Sequence, residues 1–331
     1  MNTAKTMGLK GTVSTLRTEF AEWDAAVQAW KQPRPMSMMH FRPDGQPSEV
    51  EYYNPGGDVS RIVNDYDCSG RVLQSRSRNG TAKESVSVNE YDSAGRLIRV
   101  YTIEPNGKQR DTETFTYDEA GHKAAKIFLD VDMNEGGMAT SSSVEVYDAD
   151  DTVEQSAYDR NGRLLGRETI TRNAAGKVTH VERRLGDMSF PNLEALPPEE
   201  RETMMTQLSQ LLGPALVMVT IECKYDEAGR RTERLVQMAR LMEQRTTLQY
   251  DEHGNVIDET TAGKQREAQQ SDSGETQLTN ETSQATRTHY DYAYDDHGNW
   301  TERTQSVAND ASSPLTRTNV ERREIGYYSV A

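Results

Sequence analysis

The chain has 331 residues, room for one large all-β domain or two smaller ones. Only 34% of them are hydrophobic and the mean hydropathy is −0.85, which excludes a thick conventional core and any apolar run of membrane-span length. Thirty-eight Lys plus Arg face 53 Asp plus Glu, a net charge of −15 that repels phosphate backbones and excludes nucleic acid as a natural partner.

The opening segment MNTAKTMGLKGTVSTLRTEF has no apolar stretch of signal-peptide length. As written, the protein reads as soluble and cytoplasmic; a leader removed beforehand would place it at the cell surface or in the periplasm instead. Within residues 18–31, Phe20, Trp23, Val27 and Trp30 fall at helical spacing, but WDAAVQAW also describes a hairpin tip with Trp23 opposite Trp30. The hairpin is favoured because it opens a meander that the rest of the chain continues.

From residue 41 onward one frame recurs. Its clear copies are Tyr66, Asp67 and Gly70; Tyr91, Asp92 and Gly95; Tyr117, Asp118 and Gly121; Tyr158, Asp159 and Gly162; Tyr225, Asp226 and Gly229; Tyr250, Asp251 and Gly254; and Tyr294, Asp295 and Gly298. Weaker copies begin at Phe41, Tyr53, Tyr147 and Arg172. Asp at the first turn position accepts a hydrogen bond from the backbone N–H two residues on. Gly takes the left-handed conformation that closes a hairpin, and Tyr occupies the last strand position before it. The strands support this: Val219, Ile221, Cys223 and Tyr225 share one parity, as do Tyr290, Tyr292 and Tyr294. Asn79-Gly80 and Pro105-Asn106-Gly107 mark intervening turns. The expected product is an antiparallel β-hairpin meander curled into an open barrel or partial shell. Its YDxxG turns should gather at one edge, where their tyrosine rings touch in a ladder.

These YDxxGxL units resemble the YD repeats of the Rhs and teneurin families, over residues 41 to 300. The resemblance implies a hairpin strip that winds into a shell, which in that family encloses a toxin or other cargo. This chain matches a short stand-alone form, without a toxin-like C-terminal domain or a DPxG-type autoproteolytic motif.

Elsewhere the frame is interrupted. DVDMNEGG, from Asp130, has the alternating oxygen donors of a calcium loop, but Glu135 and Ser141 stand where an EF-hand needs Gly and a bidentate Glu, so a polar hairpin loop over 130–141 is favoured. Residues 197–212 predict one inserted amphipathic helix, with acidic Glu199, Glu200 and Glu202 in its first turn and Met204, Met205, Leu208, Leu211 and Leu212 as its apolar stripe. The polar stretch 261–288 is a long solvated hairpin or a mobile loop.

His253 and His297 occupy the same slot of two turns beside Asp251 and Asp295; turn histidines without a metal are favoured. Cys68 and Cys223 read as free thiols. There is no GxSxG, GxGxxG or phosphate-binding Gly loop. Neither metal nor cofactor is expected. The one aromatic binding platform worth naming is Trp23, Trp30 and Trp300, which could stack on a sugar or simply extend the tyrosine ladder. The whole chain, 1–331, is expected to form a single β domain acting as a non-enzymatic scaffold for a glycan or protein partner. A hydrolase using carboxylates or His, and a small chaperone-like container, are the competing readings.

Overall fold

The computed structural model describes residues 3–104, 106–129, 142–148, 151–158, 164–186, 197–212, 216–270, 276–310 and 313–329. After a one-turn helix α1 (Thr3–Thr6), strands follow one another: β1 (Val13–Asp24), β2 (Ala29–Trp30), β3 (Arg34–Phe41), β4 (Pro47–Tyr53), β5 (Val59–Tyr66), β6 (Val72–Asn79) and β7 (Ser85–Tyr91). Then come β8 (Leu97–Ile103), β9 (Gln109–Tyr117), β10 (Lys123–Leu129), β11 (Ser142–Asp148), β12 (Asp151–Tyr158), β13 (Leu164–Arg172) and β14 (Val178–Leu185). Helix α2 (Pro198–Leu212) precedes β15 (Val217–Tyr225), β16 (Arg231–Met238), β17 (Met242–Tyr250), β18 (Val256–Gln270), β19 (Thr276–Tyr294), β20 (Trp300–Ala308) and β21 (Thr316–Tyr327). Residues 130–141, where the calcium-like loop falls, lie outside the described residues.

From β3 to β21 each strand pairs antiparallel with the next. The sheet then closes. β1 pairs on one side with β21, Leu16 opposite Ile325, and on the other with β3, Leu16 opposite Met39. Twenty strands thus make a closed barrel, with β2 a two-residue spur on β1. This corrects the expected open barrel or partial shell. An open strip would leave two rows of unpaired backbone groups, and one strand inserted between the two ends removes both edges at once. The stretch at 18–31 is the β1–β2 hairpin, with Trp23 opposite Trp30.

Twenty strands spaced about 4.8 Å apart, at the usual tilt, enclose a cylinder roughly 40 Å across between backbones. Its wall is wet on both faces. The accessible surface is 20284 Å², against about 13,700 Å² for a compact monomer of this mass. Among the described residues only Leu16, Val13 and Val320 are large side chains sealed almost completely from solvent. Among the described residues one buried cluster, Ala4, Leu9, Val13, Leu16 and Phe41 backed by Met7, Met39, Ile325 and Tyr327, sits where the N-terminal segment leads into β1.

Strand direction sorts the turns. The ten strands running parallel to β3 end at or beside Phe41, Tyr66, Tyr91, Tyr117, Tyr147, Arg172, Tyr225, Tyr250, Tyr294 and Tyr327, which form one rim. Tyr158 ends β12, which runs the other way, so this tyrosine lies at the opposite rim; the Asp159 and Gly162 of its motif lie outside the described residues. Consecutive strands of a meander run in opposite directions, and Tyr147 and Tyr158 stand near the ends of the consecutive strands β11 and β12. The expected single edge is corrected to a rim of six of the seven clear copies, completed by Phe41, Tyr147, Arg172 and Tyr327.

Candidate functional site

The rim is built from a repeated joint. In the turn after β5, Asp67 Oδ1 accepts from the N–H groups of Ser69 at 2.9 Å and Arg71 at 2.8 Å, while Oδ2 accepts from Arg71 Nε at 2.6 Å. The Arg71 guanidinium, clamped by its own turn, lies over the ring of Tyr91 on the next turn, 4.7 Å from its centroid. Arg42 covers Tyr66 at 4.4 Å, Arg96 covers Tyr117 at 4.7 Å and Arg230 covers Tyr250 at 4.9 Å. Nearer the seam histidines take this place: His253 packs on Tyr294 at 4.2 Å and His297 on Tyr327 at 4.0 Å.

Direct contact between successive rim rings, expected from the sequence, is therefore corrected. Rim tyrosines stand two strands apart, about 9.6 Å, beyond the 4.5–7 Å of an aromatic pair, and the gap is filled by a guanidinium at Tyr66, Tyr91, Tyr117 and Tyr250 and by an imidazole at Tyr294 and Tyr327. The hydroxyls of Tyr66, Tyr91, Tyr117 and Tyr225 also staple their hairpins to the preceding ones. Tyr66 donates to Pro47 O at 2.7 Å, Tyr91 to Val72 O at 2.8 Å, Tyr117 to Leu97 O at 2.7 Å and Tyr225 to Val178 O at 2.8 Å. Backbone N–H donation, first that of the following Arg, holds the Asp67, Asp92 and Asp226 carboxyls below the usual range. Burial, then the hydrogen bond to Glu145, pushes Tyr147 up to about 12. Arg71, Arg96 and Arg230 directly follow the turn glycines, and that spacing was the available signal for the joint.

Residues paired across the ladders share a face, so the register traces the tyrosine-bearing face around the barrel. It carries Tyr292, Arg303 and Glu321 in one row, and Ile221, Val236 and Gln244 in another. The three tryptophans do not form one platform. Trp23 and Trp30 pack edge to face at 4.9 Å on the β1–β2 spur, at the far end of β1 from the tyrosine rim. Trp300 lies beside that rim, 6.1 Å from Tyr292, under the guanidiniums of Arg323 at 3.4 Å and Arg303 at 5.2 Å. Burial pulls Arg323 down to about 10, and its Nε has no hydrogen-bond partner among the described residues. Cys68 is exposed in its turn, Cys223 lies on the tyrosine-bearing face, and both are free thiols. Among the described residues no group of three or more His, Cys, Asp or Glu could hold a metal ion.

No family model and no curated protein matches the chain. Among solved structures, it is similar to a porin-like protein from Bacteroides uniformis at 10% identity and a TM-score of 0.37, covering 96% of this chain and 99% of that one. A domain described as an outer membrane lipoprotein-sorting protein from Vibrio parahaemolyticus matches at 12% identity and a TM-score of 0.18, over 55% of this chain and 83% of that one. At these scores neither bears on the function.

Proposed function

We propose that this protein is a non-enzymatic β-shell of YD-repeat type that binds a glycan or protein partner on its wetted sheet faces. The observation that carries the reading is the excess of exposed surface on a closed sheet: the strands spend their side chains on solvent, as a scaffold for contacts would, and not on a core. The carboxyls with a resolved shift among the described residues are all moved down, toward ionisation, as expected of a solvated, ion-paired wall.

An aqueous setting fits both faces. The tyrosine-bearing face carries Glu113, Lys126, Glu145, Glu168 and Arg183 mid-strand, and the opposite face carries Arg61, Glu182, Lys224, Glu233 and Arg245. An Arg or Lys facing lipid at the bilayer midplane costs about 2–4 kcal/mol, so neither face suits hydrocarbon. No described helix is long and apolar enough to cross a membrane.

Glycan and peptide arrays, run with turnover assays on chromogenic glycosides and peptides, test the proposal. Saturable binding without turnover is expected, with the protein staying in the aqueous fraction during vesicle flotation. Hydrolysis abolished by replacing one carboxylate or histidine, or recovery of the protein with the vesicles, would overturn it.

A further inference from the structure

Gly263 stands in the middle of β18 without a backbone reason to be glycine. Its φ lies outside the left-handed region, and an added Cβ would meet nothing closer than Glu243 O, at an ordinary 3.4 Å. A glycine inside a strand costs about 0.5–1 kcal/mol relative to alanine and often marks the close approach of something else. Here its missing side chain opens a groove of about 200 Å³ in the tyrosine-bearing face.

Gln244 on β17 and Gln284 on β19 are the ladder partners of Gly263, so their carboxamides flank the gap from either side. Gln265 and Thr261, two residues away along β18, bound it lengthwise, and Thr286 faces Thr261. The Thr246 and Thr261 hydroxyls share a hydrogen bond of 3.1 Å. The three carboxamides have no side-chain or backbone partner among the described residues. Glu243 and Lys264 also border the groove, but their charges lie on the other face, where Glu243 accepts from Gln237 at 3.2 Å and Lys264 pairs with Glu281 at 3.2 Å.

We propose that this groove binds a neutral sugar residue of a glycan, its ring seated over Gly263 and its hydroxyls bridged by the Gln244, Gln265 and Gln284 amides. The chemistry selects that class. Side chains that both donate and accept, without a net charge, match a polyol and offer nothing special to an anion or a cation. The main chain of β18 is already paired on both sides, so a peptide cannot add itself as a strand. At about 200 Å³ the groove is below the roughly 300 Å³ at which drug-sized pockets begin, which fits one pyranose ring. The inference rests on the glycan-binding reading and deepens it to a site and a sugar class.

The test titrates maltohexaose, cellohexaose and a mannose hexamer, with a galacturonic acid hexamer as the charged comparison, into the intact protein by calorimetry. Gly263→Val fills the groove with a residue that strands favour, so thermal stability should hold or rise while affinity for the neutral oligosaccharide falls at least tenfold. The Gln244→Ala, Gln284→Ala double variant keeps the gap and removes the amides, and should lose affinity to a similar degree. Unchanged affinity in both variants overturns the site while leaving glycan binding in place. Binding of the charged hexamer alone overturns the sugar class. Failure of all four sugars, with peptide binding on the array, overturns the site and leaves the scaffold reading standing.

Discussion

A guanidinium held by its own turn and presented to the neighbouring tyrosine is the smallest unit that explains the repeat. Gly95 shows how tightly it is drawn. Its φ is +81°, and an added Cβ would fall 2.6 Å from Arg71 Nη1, the group that stacks on Tyr91. Gly254 has a φ of +87° with open space around it. Gly254→Ala should therefore lose only the backbone preference, roughly 1 kcal/mol in urea denaturation, whereas Gly95→Ala should lose measurably more because Arg71 must leave the ring. Equal losses would show that the stack contributes nothing. The Tyr, Asp and Gly of this unit were legible as letters because each answers to its own backbone. The arginine recurs after Gly70, Gly95 and Gly229, but its role was not legible, because its partner is a ring on another hairpin.

At the level of elements the seam stands apart, because β21 and β1 pair with no turn between them. The N-terminal segment substitutes for the missing turn. Asn299, 3% exposed, accepts from Lys10 N at 2.7 Å and donates from Nδ2 to Lys10 O at 2.9 Å and to the Tyr327 hydroxyl at 2.7 Å. At its other end Ala4 N donates to Gly45 O at 3.0 Å. Asn299→Ala leaves the Lys10 amide and carbonyl unpaired beside the buried cluster, and should cost about 2 kcal/mol. Amide exchange at Lys10 should quicken in that variant ahead of the exchange in β5–β8, and uniform exchange would argue against a local latch. Asn299 ends an ordinary YDDHGN turn, and nothing in those six letters marks it apart from Asn255, which follows a turn of the same form and donates to Tyr294 at 2.9 Å. The difference comes entirely from a segment 289 residues away in sequence.

Over the whole molecule, the repeated joint makes stability a function of pH with two limbs. Asp67, Asp92 and Asp226 have carboxyls depressed in the folded state. Their contribution is present above about pH 4 and is lost as pH falls through the folded values. Tyr147 and Tyr327 are raised to about 12, mainly by burial; their contribution is complete below about pH 10 and disappears as pH climbs through 12. Urea midpoints should form a plateau between those limits and fall on both sides. A midpoint that rises below pH 4 would contradict the assignment. Closure adds a kinetic expectation: pairing Leu16 with Ile325 joins residues more than 300 positions apart, so refolding should be slow, in the millisecond to second range or beyond.

The sequence by itself determined the all-β class, the hairpin closures, the helix at residues 197–212 and the thin, solvated wall, because each depends on residues near one another or on composition. It could not determine that the strip closes, that Tyr158 ends its strand at the opposite rim, or that a glycine in a polar strand opens a groove between two glutamines. Those were decided by strand count, direction and register. They arise only when residues far apart in the chain are brought side by side, and no local preference encodes them.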